Sequence, residues 1–241
     1  MWMDAVDLRD FYASGLGRVA RRMIGRRIRA LWPDVRGSNI LGLGYAAPFL
    51  GVFRAEALRV TALMPAAQGV MHWPSDAPNL ALLADETALP FADRSLDRIL
   101  LVHALECAEH TQPLMREIWR VLADGGRLIV IAPNRRGLWA QLERTPFGHG
   151  RPYTPSQLSR TLRDALFTPY RSVTALYIPP IRSRMLLSSA GALEEIGQRW
   201  FTSFAGVVLC EAAKQVFAGE LGWKAAKHEH RVYVPVSAAL R

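Results

Sequence analysis

Apolar residues recur at three- and four-residue steps through Leu16, Val19, Ala20, Met23, Ile24, Ile28 and Leu31. That period puts them on one face of a helical region spanning about residues 4–31. Arg18, Arg21, Arg22, Arg26, Arg27 and Arg29 fall between them and make the outer face strongly basic. Trp32-Pro33 ends the region, because the residue before a proline is driven out of helical geometry. Short apolar runs at residues 40–44, 58–63, 80–84, 98–102 and 128–132 then read as five strands. The last is apolar throughout, as suits a parallel strand covered on both faces. Pro48 suits the first turn of a helix after the first strand, and residues 66–79, with two prolines, read as loop.

Leu114, Met115, Ile118, Val121 and Leu122 mark a helix over residues 112–122, closed by Asp124-Gly125-Gly126. Further on, Thr154-Pro155-Ser156-Gln157 is a capping box that launches a helix to about residue 166. A sixth strand is expected at residues 173–178, a mostly helical stretch at 185–200 and a seventh strand at 205–210. This alternation predicts an α/β fold with a doubly wound, mostly parallel seven-stranded sheet behind an N-terminal amphipathic helix. Residues 1–214 are expected to form one domain with its core at 40–134. Residues 215–241 read as a polar extension with one β-prone piece at 231–236.

Composition adds bounds. Half of the 241 residues are hydrophobic, enough for a sizeable core. No apolar run approaches the roughly 18 residues of a membrane span. Met1-Trp2-Met3-Asp4 lacks the basic-then-apolar pattern of a secretory signal, so a cytoplasmic location is expected. Cys107 and Cys210, far apart, read as reduced core thiols, and His228-Glu229-His230 has no companion metal ligands. The net charge of +9 favours an anionic partner, membrane headgroups or RNA, with the arginine-rich helix as its contact. A solvated face of the same helix is the alternative.

Residues 80–134 run strand, acidic turn, strand, helix, Gly-Gly turn, strand, reading LALLADETALPFADRSLDRILLVHALE and later REIWRVLADGGRLIVIAPN. This stretch resembles the second half of the nucleotide-binding core in class I S-adenosylmethionine-dependent methyltransferases, especially the small-molecule type-11 group. The resemblance implies S-adenosyl-L-methionine as cofactor and direct SN2 methyl transfer to a small or amphipathic acceptor. It implies a cofactor turn at Gly42-Leu43-Gly44-Tyr45-Ala46-Ala47-Pro48. In that turn Gly44 matches the family's first glycine, Ala46 and Pro48 replace the next two, and Gly42 replaces an acidic residue. It also implies cofactor contacts from Asp85, Glu86 and Thr87, with Asp85 accepting from the adenine amino group. His103 would lie near the sulfonium or the acceptor, where a plain turn position and a proton-abstracting role are the alternatives, and no catalytic residue is assigned. Phe11, Tyr12, Asn134 and Tyr153 are the candidate acceptor pocket.

The chain departs from the family after the second strand. Leu63-Met64-Pro65 stands where relatives carry the carboxylate that accepts both ribose hydroxyls. Two alternatives therefore accompany the methyltransferase reading. One is a binding or regulatory protein that keeps the fold without the donor; the other is an RNA methyltransferase.

Overall fold

The computed structural model describes residues 2–181, 183 and 187–215. Its centre is a seven-stranded sheet in the order β3-β2-β1-β4-β5-β7-β6. The strands are β1 (Asn39–Gly44), β2 (Arg59–Pro65), β3 (Ala81–Ala84), β4 (Leu96–Val102), β5 (Leu122–Pro133), β6 (Phe167–Ala175) and β7 (Val207–Lys214). β1 to β5 are parallel, and β7 inserts antiparallel between β5 and β6. Strand order reverses at β1, which pairs with β2 on one side and β4 on the other.

Because side chains alternate along a strand, each face of the sheet collects its own core. Ile40, Leu100, Val102, Ile129 and Leu209 pack under α1 (Ala5–Ala13), α2 (Gly15–Leu31) and α3 (Ala47–Leu50). Leu41, Leu43, Ile99, Leu101 and Val130 pack under α4 (Thr111–Val121) and α5 (Pro155–Asp164). Among the described residues the last α-helix, α6 (Ala190–Trp200), lies beside α2, where Arg27 donates to Gln198 at 2.5 Å.

The expected apolar stripe is the buried face of α2, from Leu16 to Leu31. The region at residues 4–31 is, however, two helices. Ser14 breaks it: its hydroxyl donates to Phe11 O at 2.6 Å and accepts from Gly17 N–H at 3.0 Å, capping α2. This bend carries α1 over the ends of the central strands. β6 begins six residues before the expected sixth strand, because after the buried Phe167 its first half is mostly exposed and is interrupted by a register shift at Pro169/Arg171. β7 runs on past the apolar stretch through Glu211 to Lys214, both buried. The β-prone piece at residues 231–236 and His228-Glu229-His230 lie outside the described residues.

Candidate functional site

In an open parallel sheet the natural binding crevice lies beyond the carboxyl ends of the strands where their order reverses, here over β1 and β4. The turn after β1 is held by close packing. A Cβ on Gly44 would sit 2.2 Å from Val102 O, and its φ of 80° is one that only glycine adopts freely. A Cβ on Gly42 would meet Leu50 Cδ1 at 2.6 Å and Ala46 Cβ at 2.7 Å. The Tyr45 N–H donates to Val102 O at 2.9 Å, closing the turn against β4. These glycines therefore serve the approach of β1 to β4 and to α3, whatever else they do.

Above the turn stands a cluster of rings. Tyr12, delivered by α1, stacks on Tyr45 with centroids 5.9 Å apart and planes 16° from parallel. Phe49 and Phe11 meet Tyr12 edge-on at 5.7 Å and 5.1 Å. Phe147 packs on Phe11 and on the His103 ring, the latter at 5.0 Å. Burial pushes the Tyr45 hydroxyl up to about 12, and burial with the nearby Glu106 charge raises Tyr12 well above its ordinary value. Both phenols are neutral at physiological pH.

Beneath the rings lies a buried polar chain. The Tyr12 hydroxyl meets His103 Nε2 at 2.8 Å, and His103 Nδ1 faces Glu106 Oε1 at 3.3 Å. A proton on Nδ1 faces the carboxylate and leaves Nε2 to accept from Tyr12, the arrangement that suits every partner. His103 holds this position with a left-handed backbone, φ 49°, which places strain at the candidate site. Gln68, beyond the end of β2, donates to His103 O at 3.4 Å and is buried. Gln68 Oε1 and Glu106 Oε2 are buried acceptors with no hydrogen-bond partner among the described residues. Such atoms are costly unless something donates to them.

Neither Gln68 nor Glu106 is among the sequence-derived site residues. Gln68 falls in a stretch read as loop, and it lies three residues past the place where a carboxylate is expected. Glu106 is part of the His103-Ala104-Leu105-Glu106 resemblance. Its three-residue spacing from His103 is a signal only once the turn brings both side chains inward.

The acidic turn is built otherwise. Asp85 accepts from the Thr87 N–H and hydroxyl, both at 2.7 Å, and these bonds lower its pKa. Its carboxylate is exposed, as is Thr87, while Glu86 is half-buried. The following loop is clamped to α4 by Arg120, which donates to Leu89 O, Phe91 O, Asp93 and Glu117.

The proposed acceptor residues divide. Phe11 and Tyr12 join Tyr45 and His103 over the crevice. The Asn134 side chain instead donates to Ser203 O at 3.1 Å and Ala205 O at 2.8 Å, pinning the turn before β7. Tyr153 pairs with Asn134 in an isolated bridge, and its ring lines an open cavity of about 560 Å³ between α4 and α5, with Met115 and Trp119. That cavity lies on the α4–α5 face, away from the ring cluster. The two cysteines are buried thiols, pushed up by burial to about 12 at Cys107 and about 11 at Cys210.

Residues 40–130 match a family described as a methyltransferase domain. A demethylmenaquinone methyltransferase of Thermus thermophilus is 26% identical over 155 residues, which cover 64% of this chain and 63% of that protein. The chain thus spans less than two thirds of that relative's length. Among solved structures, a SAM-dependent methyltransferase from Thermotoga maritima superposes with a TM-score of 0.58 at 16% identity, covering 86% of this chain and 94% of that one. A geranyl diphosphate C-methyltransferase from Streptomyces coelicolor, in complex with S-adenosyl-L-homocysteine, gives 0.55 at 15% identity over 79% of this chain and 76% of that one. At such identities the structural likeness establishes the fold.

Proposed function

We propose that this chain, whose residues 40–130 match a methyltransferase-domain family, transfers a methyl group from S-adenosyl-L-methionine to a small or amphipathic acceptor. The observation that carries the reading is the family match coinciding with the crevice over β1 and β4. Two buried acceptor oxygens there, Gln68 Oε1 and Glu106 Oε2, await donors of the kind that ribose hydroxyls or an ammonium group supply. In this reading Gly42, Gly44, Tyr45 and Ala46 form the floor, and Gln68 stands in for the carboxylate missing after β2. Asp85, Glu86 and Thr87 form the adenine end, with Asp85 turning inward from its solvent-facing position.

When bound, the sulfonium supplies an already activated methyl group. The protein's work is then alignment and exclusion of water. The rings of Tyr45, Phe49 and Phe147 exclude water from the crevice. His103 Nε2 is placed to take a proton from an acceptor hydroxyl, with Glu106 fixing the imidazole. Tyr12 holds that nitrogen in the observed arrangement, so its ring must swing out before donor and acceptor meet. Of the acceptor-side candidates, Phe11 stands at the crevice, whereas Asn134 and Tyr153 would have to leave the places described above to reach it. The relative named for demethylmenaquinone supports an amphipathic acceptor class.

A second reading is favoured by the same rings. Tyr12 stacked on Tyr45 fills the crevice, and Asp85 faces solvent, as in a scaffold that has given up the donor. Calorimetric titration of the full chain with S-adenosyl-L-homocysteine separates the two. Saturable binding supports methyl transfer, and no heat at millimolar ligand supports the retired scaffold. An RNA acceptor predicts association that falls steeply with salt. The cytoplasmic location belongs to the same proposal; among the described residues no helix is long and apolar enough to cross a membrane.

A further inference from the structure

Four large apolar side chains stand out of the surface within nine residues: Ile196 is 52% exposed, Trp200 72%, Phe201 56% and Phe204 60%. They sit on the last turns of α6 and the short turn after it, and nothing in the methyl-transfer reading uses them. Large apolar side chains exposed together on a short segment of a folded domain mark an interaction surface more often than chance. The segment is also held in place. Asn134 grips the backbone of this turn through Ser203 O and Ala205 O, and the buried Glu194 accepts from the Leu176 and Tyr177 N–H groups at 3.1 Å and 2.9 Å.

The charge beside the patch identifies the partner. Arg18, Arg22 and Arg26 recur every four residues and form one exposed ridge along α2. The groove between the helices has Arg26 and Arg27 on one wall and Gln198 and Glu195 on the other. Arg199 then reaches back over the Trp200 ring at 5.9 Å. Aromatic and aliphatic side chains able to enter the acyl boundary, next to a cationic ridge for the headgroups, are what a protein lying on an anionic bilayer presents. Single-stranded nucleic acid would use the arginines and stack its bases on the aromatic rings, but it has no use for the exposed aliphatic Ile196 beside them.

We propose that the surface formed by α6, the turn at residues 201–204 and the arginine ridge of α2 docks this protein reversibly on an anionic phospholipid bilayer. Docking is independent of methyl transfer, and its test needs neither donor nor acceptor.

The test is co-sedimentation of the full-length protein with vesicles of phosphatidylcholine alone and of phosphatidylcholine with phosphatidylglycerol. The expected result is binding to the anionic vesicles, little to the neutral ones, and release at high salt. Replacing Trp200, Phe201 and Phe204 by Ser together should weaken binding at least about tenfold, and Arg22→Glu with Arg26→Glu should do the same. Arg160→Glu, on α5 and the other face of the sheet, should leave it unchanged. All substituted side chains are exposed, and circular dichroism verifies that the variants keep the fold. Undiminished binding by the triple variant, or equal binding to neutral vesicles, overturns the proposal. So does a dimer in light scattering that the triple variant abolishes in the absence of vesicle binding. RNA binding that the triple variant retains, with no affinity for vesicles, overturns it as well.

Discussion

Tyr12→Phe removes one oxygen from the centre of the candidate site and leaves every ring contact in place. In the native chain that hydroxyl meets His103 Nε2 at 2.8 Å, and His103 is 3% exposed. Stranding a buried imidazole nitrogen costs about 1–3 kcal/mol, more than the net worth of an ordinary hydrogen bond. Urea unfolding followed by circular dichroism should show a loss in that range, with an unchanged slope. Tyr12→Ala goes further, since deleting a buried ring costs about 3–5 kcal/mol. It also vacates the crevice. If closing the ring over the crevice is worth about 3 kcal/mol, the open form is populated roughly one time in a hundred. Tyr12→Ala should then bind S-adenosyl-L-homocysteine up to about a hundredfold more tightly than the native chain. A Tyr12→Phe variant within about 0.3 kcal/mol of native stability would refute the buried hydrogen bond. A Tyr12→Ala variant that binds no more tightly would refute the idea that the ring and the donor share one space.

Three further outcomes follow from other residues. Gly44→Ala places a Cβ 2.2 Å from Val102 O on a left-handed backbone, so it should destabilise by about 2 kcal/mol or more in the same assay; near-native stability would show the β1–β4 approach to be looser than described. Asp85→Ala should leave stability nearly untouched, because the side chain is exposed, while weakening S-adenosyl-L-homocysteine about tenfold by calorimetry; unchanged affinity removes Asp85 from the site. The Arg120 guanidinium, with help from the Leu89 N–H, holds the Glu117 carboxyl below the usual carboxylate range. Its folded pKa is depressed, so the stabilisation is complete above the ordinary carboxylate value of about 4.3 and is lost as pH falls through the folded value. Arg120→Ala should therefore lower stability at pH 7 by about 2 kcal/mol and flatten the acid limb of the stability–pH curve. An unaltered acid limb would show that the clamp does not set the Glu117 ionisation.

The sheet was legible because its central strands are covered on both faces along their carboxyl-terminal halves and are apolar there. β1, β4 and α4 fall within two residues of their expected bounds at nearly every end. The edges were not. β6 lies at the rim of the sheet, where Thr168, Tyr170 and Arg171 face solvent and a polar strand carries no periodic signal. The break at Ser14 was hidden because its capping bond depends on a single hydroxyl inside an otherwise continuous amphipathic pattern. In the site, the turn glycines could be read because their spacing is local. The Tyr12–His103–Glu106 chain could not, since Tyr12 lies 91 residues from His103 and meets it only after α1 folds across the strand ends. Asn134 was placed correctly after β5, but its side chain answers to carbonyls near residue 204 that no local pattern announces.

The central claim is that the crevice over β1 and β4 takes an adenosyl ligand. Isothermal titration of the purified full chain with S-adenosyl-L-homocysteine tests it most directly. One saturable site with a dissociation constant below about 1 mM, equivalent to about 4 kcal/mol, is the predicted result. Absence of binding in both the native protein and Tyr12→Ala, with the fold intact, would contradict the claim.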